Sequence, residues 1–268
     1  MSVLRTAVAE GLAQAQAAWR GRAPSMAELN DVLRLLGKWR AQALAETFLS
    51  YHGAVIRSGP FAGMEYVAAA SEGALIARLL GTYESELHPH IEAIAARGLD
   101  GVIDVGCAEG YYAVGLARQL GIPVHAHDIL ERARDACATL ASRNGVSDRV
   151  IIGGEFAPED FQAFAGRRML VLVDTEGAEL GILDPVRGPA LAAMSIIVET
   201  HDGYTPNALS TLVERFSATH DILHVDQGPK VYEQPPWLAQ LSHLDQLLAT
   251  WEWRAFPTPW LVMTPKAA

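Results

Sequence analysis

The chain is poor in lysine, poor in cysteine and free of long apolar runs. Lysine occurs only at Lys38, Lys230 and Lys266, and arginine completes a set of 21 basic residues against 31 acidic ones. The net charge is −10 and no basic stripe forms. A phosphate backbone is held by clustered cations, so this pattern argues against nucleic acid as the main partner. The two cysteines are Cys107, in a glycine-rich stretch, and Cys137, in a helical one. No C-x-x-C pair occurs, so neither a structural disulfide nor a thiolate metal site is expected, and a reducing cytoplasm is the default setting. The apolar runs at 169–173 and 196–198 fall far short of the roughly 20 residues that span a bilayer. Glu10, Gln14 and Gln16 interrupt any apolar leader, so no signal peptide is expected. Internal repeats and low-complexity tracts are missing as well.

What is present is a large supply of core. Half of the 268 residues are hydrophobic, enough for one α/β domain with an added subdomain. Ser25 and Glu28 have capping-box spacing. Leu29, Val32, Leu33, Leu36, Trp39, Ala43 and Leu44 follow at helical period. Residues 53–63 read as a turn with short strands, and 72–80 and 86–97 read as helices. Residues 1–24 are Ala-rich and read as a frayed helix. A mainly helical cap over 1–97 is therefore expected, ahead of a second domain over 98–268.

In that second domain strands alternate with helices. Strands are expected at 102–105, 124–127, 150–152, 169–173, 196–198, 222–225 and 260–263, with helices at 112–120, 131–143 and 205–216. Such alternation predicts a doubly wound, seven-stranded, mostly parallel sheet of Rossmann-like type with helices on both faces. Ligands of such sheets bind at the C-terminal strand ends. Four of these strands run into an acidic residue there: Asp104, Asp128, Asp174 and Glu199.

The turn after the first strand is the most specific signal. Asp104, Gly106 and Gly110 spell D-x-G-x-x-x-G. A dinucleotide fingerprint needs glycine where Ala108 and Tyr111 stand, so a pyrophosphate fits poorly and a nicotinamide oxidoreductase is disfavoured. The pattern resembles motif I of the class I S-adenosylmethionine (SAM) methyltransferases. The resemblance implies that Gly106, Cys107, Ala108, Glu109 and Gly110 wrap the methionine part of SAM. Glu109 would then bond its ammonium or simply cap the next helix. Asp128, with Ile129 beside it, is placed to bridge the ribose hydroxyls, or alternatively to cap the helix that follows. Glu155 could reach the adenine edge, with Phe156 against its face, or be a solvated loop carboxylate.

A second distinctive segment is Asp174-Thr175-Glu176-Gly177-Ala178-Glu179, followed by Glu199-Thr200-His201-Asp202. Together with the Gly110-Tyr111-Tyr112 ending, these resemble the FkbM-type methyltransferases over roughly 100–203, with their D-x-E-G-x-E and E-x-H segments. Glu109 departs from that family, which often has a neutral residue there. The resemblance implies O-methylation of a sugar, polyketide or similar small acceptor. Methyl transfer from a sulfonium needs the nucleophile aligned and deprotonated. His201 is the candidate base, with Asp174 as its orienter or as the base itself; a structural histidine is the alternative. Asp174, Glu199 and Asp202 form a candidate Mg²⁺ set. Tyr83, between Thr82 and Glu84, reads as a lid over the cofactor or as a helix junction. The Trp-rich segments at 235–237 and 251–260 would line an acceptor pocket or fill core. A homodimer is the expected assembly. The competing function class is a non-catalytic SAM- or nucleotide-binding sensor.

Overall fold

A computed structural model describes residues 9, 11–17, 25–67 and 74–266. The expected helix over 1–24 falls largely outside the described residues, although 11–17 are helical. Residues 72 and 73 of the next expected helix also lie outside them.

The chain divides into two compact units. The first takes the described residues through Ser58, then Tyr66–Tyr83 and Val231–Arg254; the second takes Gly59–Glu65, Glu84–Lys230 and the described residues from Ala255 onward. This differs from a single cut at residue 97. The segment 231–254 joins the N-terminal helices, while 59–65 and 84–97 join the sheet.

In the first unit, α1 (Met26–His52) begins where the Ser25 hydroxyl accepts the Glu28 backbone N–H, the expected cap. Next in chain order is α2 (Leu75–Leu80), which belongs to the same unit. In the second unit, α3 (His88–Ala95) precedes the sheet. The order is then β1 (Gly101–Val105), α4 (Tyr111–Leu120), β2 (Val124–His127), α5 (Glu131–Arg143), β3 (Val150–Gly153), β4 (Met169–Val173), α6 (Glu179–Ile182), β5 (Ser195–Glu199), α7 (Ala208–Phe216) and β6 (His220–Val225). Two short helices, α8 (Pro236–Ala239) and α9 (His243–Thr250), return to the first unit before β7 (Trp260–Pro265) closes the sheet. In the first unit, Arg40 and Asp245 tie α1 to α9.

The sheet has seven strands in the order β3-β2-β1-β4-β5-β7-β6. The pairs among β1 to β5 are parallel, and β7 is antiparallel to both β5 and β6. β1 and β4 are buried along their whole length, which is why they read as unbroken apolar runs. Ile103, Val105, Val171, Val173, Ile196 and Val198 share one core cluster with Phe161, Leu212, Phe216 and Met263. The order reverses between β1 and β4, since the chain runs outward to β3 and returns on the other side. That reversal opens a crevice at the C-terminal ends of β1 and β4, where Asp104 and Asp174 stand.

Candidate functional site

The glycine-rich turn is shaped by three left-handed residues: Gly106 (φ 88°), Ala108 (φ 46°) and Gly110 (φ 95°). Gly106 and Cys107 both donate backbone N–H bonds to the His127 carbonyl, tying the turn to the end of β2. A Cβ on Gly106 would stand 1.7 Å from the Asp174 carbonyl oxygen. The turn therefore runs flush against the end of β4, and only glycine fits. A Cβ on Gly110 would lie 2.8 Å from Cys137 Sγ. Cys107 and Cys137 are buried free thiols that meet behind the turn; their mutual hydrogen bond and burial push the Cys107 thiol up.

Asp128 serves the turn directly. Its Oδ2 accepts the Ala108 N–H at 3.1 Å, and its Oδ1 accepts the Leu130 N–H at 2.8 Å where α5 begins. The Leu130 bond closes a turn ahead of α5, whose own first turn receives no side-chain cap, and the same half-buried carboxylate also pins the glycine-rich turn. Ile129 beside it is 76% exposed. Glu155 is exposed, whereas Phe156 is buried with its ring edge-on to His127 and Phe161. The Phe156 ring therefore packs in the core beside β2. Glu109 is buried. Tyr83 belongs to the first unit, where the Arg78 guanidinium lies 4.1 Å over its ring.

Asp104, at the end of β1, is 5% exposed and its Oδ2 has no hydrogen-bond partner. Burial, and then the neighbouring Asp174 charge, push its carboxyl up to about 7. An acid held at that value is poised to change charge when a cationic group arrives.

The ends of β4 and β5 hold the second cluster. His201 is 2% exposed. Its Nδ1 lies 2.8 Å from Oε1 of Glu179, which is fully buried. That same Oε1 also accepts from the Gly177 N–H at 2.8 Å and from the Thr175 hydroxyl at 3.3 Å. Glu179 is therefore the residue that orients His201, the place the sequence reading gave to Asp174. Asp174 lies 3.8 Å from the other ring nitrogen, Nε2, with Glu176 at 3.5 Å and Glu199 at 3.4 Å. The far side of Glu199 accepts from the Thr258 hydroxyl at 2.7 Å. Burial works against a charged His201, but the Glu179 hydrogen bond and the charges of Asp174, Glu179 and Glu176 outweigh it, so its pKa is raised. Burial likewise raises Glu179, while the His201 and Gly177 hydrogen bonds win and leave it lowered. These contacts favour the charged ring over the neutral one that a general base requires.

Two sets of side chains converge closely enough to share an ion: Asp174 with Glu176 and His201, and Glu84 with Asp174 and Glu199. Asp202, expected as a ligand, is in neither. Glu84 and Glu176 were not foreseen as members. Glu176 carried a usable signal, since it sits in the D-x-E-G-x-E segment; its backbone takes a left-handed φ of 53°. Glu84 carried none beyond its charge. It enters from the segment before α3, held by the Tyr112 hydroxyl at 2.6 Å. Tyr204, 58% exposed, is stacked against the His201 ring with centroids 6.0 Å apart. The aromatic segments split: Trp260 is core on β7, while Trp237 pairs with Tyr51 and His52 in the first unit. No helix among the described residues is long and apolar enough to cross a membrane.

No family model and no curated protein matches this sequence. Among solved structures, the chain is similar to a putative O-methyltransferase from Klebsiella pneumoniae at 12% identity, covering 66% of this chain and 77% of that one with a TM-score of 0.45. It is also similar to the O-methyltransferase TomG from Streptomyces achromogenes, involved in tomaymycin synthesis and solved with SAM, at 13% identity, 85% and 90% coverage and a TM-score of 0.47. An O-methyltransferase from Bacillus cereus in complex with SAH matches at 14% identity, 68% and 91% coverage and a TM-score of 0.42.

Proposed function

We propose that this chain is a SAM-dependent methyltransferase of class I type, acting on a small or medium acceptor. The observation that carries the reading is the pair of acids flanking the glycine turn. Asp104 keeps a buried, unpartnered oxygen at its mouth, and Asp128 pins the turn while remaining half open to solvent. A buried carboxylate oxygen without a donor is costly, and a cationic ligand with polar hydrogens offsets that cost. SAM, which carries an ammonium and a sulfonium, fits such a site. When bound, it supplies an electrophilic methyl group.

The residues divide the remaining work. Gly106 and Gly110 let backbone approach the ligand. Asp128 offers its carboxylate to a ribose, and Ile129 offers an exposed apolar surface beside it. Asp174 and His201, at the adjoining ends of β4 and β5, face the acceptor. The acidity around them repels polyanions, which supports a small-molecule acceptor over nucleic acid. An FkbM-type hydroxyl acceptor rests on the D-x-E-G-x-E and E-x-H segments. A cytoplasmic homodimer completes the reading. The Glu179 bond and the acidic neighbours, which favour the charged form of His201 over the neutral one, support a second reading, a SAM-binding module without turnover.

Calorimetric titration with SAM and with SAH is the deciding measurement; binding of neither would remove the proposal. Asp104→Ala and Asp128→Ala should each remain folded and lose affinity. Labelled methyl transfer to hydroxyl acceptors, compared with amines, then separates an O-methyltransferase from an N-methyltransferase. Binding without transfer to either acceptor class selects the sensor reading.

A further inference from the structure

We propose that Asp174, Glu176 and Nε2 of His201 form a site for a divalent transition-metal ion, with Glu179 as the residue that positions His201. The telling atom is Nε2. His201 is 2% exposed, and its Nδ1 side is committed to Glu179 at 2.8 Å. Nε2 points at three carboxylate oxygens, from Asp174 (3.8 Å), Glu176 (3.5 Å) and Glu199 (3.4 Å). Charge-assisted N–H···O bonds close to about 2.7–2.9 Å, and Nε2 makes no hydrogen bond among the described residues. These spacings are longer than such charge-assisted bonds. They suit atoms that each lie about 2.0–2.2 Å from one shared ion.

The support behind His201 has the form that metal-binding histidines require. A ligating imidazole donates its other N–H to a carboxylate, which fixes the ring and raises its basicity. Glu179 does this from full burial, and it is held in turn by the Gly177 N–H and the Thr175 hydroxyl. The donor set of one imidazole and two carboxylates also selects the ion. All-oxygen sets suit Mg²⁺ and Ca²⁺, whereas an added imidazole shifts preference toward Mn²⁺, Fe²⁺ or Zn²⁺. Glu199 stands next to the set and is anchored by Thr258. The ion would lie at the ends of β4 and β5, where an acceptor oxygen could be polarised. The site stands on these side chains alone, independently of the SAM reading.

The test uses the full, untagged chain stripped with chelator, titrated with Mn²⁺ and with Zn²⁺ in the absence of SAM. One equivalent should bind in the micromolar range or tighter. Asp174→Asn and His201→Gln should each weaken that binding at least about hundredfold, and Glu179→Gln by about 10- to 100-fold. Asp148→Asn, at an exposed acid outside the cluster, should leave it unchanged. Circular dichroism reports whether each variant folds. Should the cluster variants fail to fold, the Mn²⁺-loaded wild-type chain still decides, because pulsed EPR must show coupling to one histidine nitrogen. Absence of Mn²⁺ and Zn²⁺ binding, affinity for Mg²⁺ alone, unaltered binding in folded cluster variants, or no nitrogen coupling would each overturn the proposal. Failure of SAM titration leaves this result untouched, so the two readings fall separately.

Discussion

Replacing Asp104 with asparagine should make the protein more stable, and increasingly so as the pH rises. The carboxyl ionises near 3.8 in the unfolded chain and near 7 in the folded one, because burial and the Asp174 charge oppose its charged form. The folded state therefore binds its proton more tightly, and stability is lost progressively as the pH climbs between those two values. With about 1.36 kcal/mol for each tenfold change in proton affinity, the loss is about 1.7 kcal/mol at pH 5. It reaches about 4 kcal/mol at pH 8, where it is complete. Asp104 is 5% exposed, so solvent screening does not reduce this much. The amide that replaces the carboxyl keeps its shape and carries no charge. Urea unfolding of both proteins, with chelator present, should show the Asp104→Asn advantage growing by about 2–3 kcal/mol from pH 5 to pH 8. SAM affinity should fall in the same variant. A pH-independent difference, or a wild type that is the more stable at pH 8, would refute the reasoning.

Three further substitutions probe the same turn. Gly106→Ala places a methyl 1.7 Å from the Asp174 carbonyl at a φ of 88°; a loss of more than about 4 kcal/mol is expected, read as little soluble protein or a much lower melting temperature. Asp128→Ala removes the acceptor for the Ala108 and Leu130 N–H groups and should cost about 1–3 kcal/mol, with SAM binding at least about tenfold weaker by calorimetry. Ala108→Gly relieves a side chain held at a φ of 46° and should gain about 1 kcal/mol in thermal melts; a loss of stability would show that the Ala108 methyl packs usefully.

The sheet was legible because its signals are local. β1 and β4 are buried on both faces, so they read as short apolar runs, and glycines stop the helices where expected, as at Gly121 after α4. The direction of β7 was not legible, since nothing within its own residues states that it runs against β5 and β6. The unit boundary was missed for a related reason. The segment 231–254 packs with α1, and the Arg40–Asp245 pair that joins them links residues far apart in sequence. Phe156 looked like a ligand-facing aromatic because its position follows a strand end; its burial depends on His127 and Phe161, which periodicity does not report.

In the site, spacing located the acids but not their division of labour. Glu179 was readable as a carboxylate in the first turn of a helix, where the macrodipole favours it. Its Oε1 accepts from the Gly177 N–H ahead of the helix, and the same oxygen also meets His201. One carboxylate oxygen thus ties the turn before α6 and fixes an imidazole, while Oε2 is buried without a hydrogen bond among the described residues. The consequence runs outward from Glu179. With Nδ1 committed to Glu179, the Nε2 side of His201 is turned toward Asp174, Glu176 and Glu199. A positive charge arriving among those carboxylates, whether on a metal ion or on an acceptor, weakens their preference for a charged His201. The chemistry of this sheet edge is therefore set less by His201 than by how many positive charges its surrounding carboxylates receive.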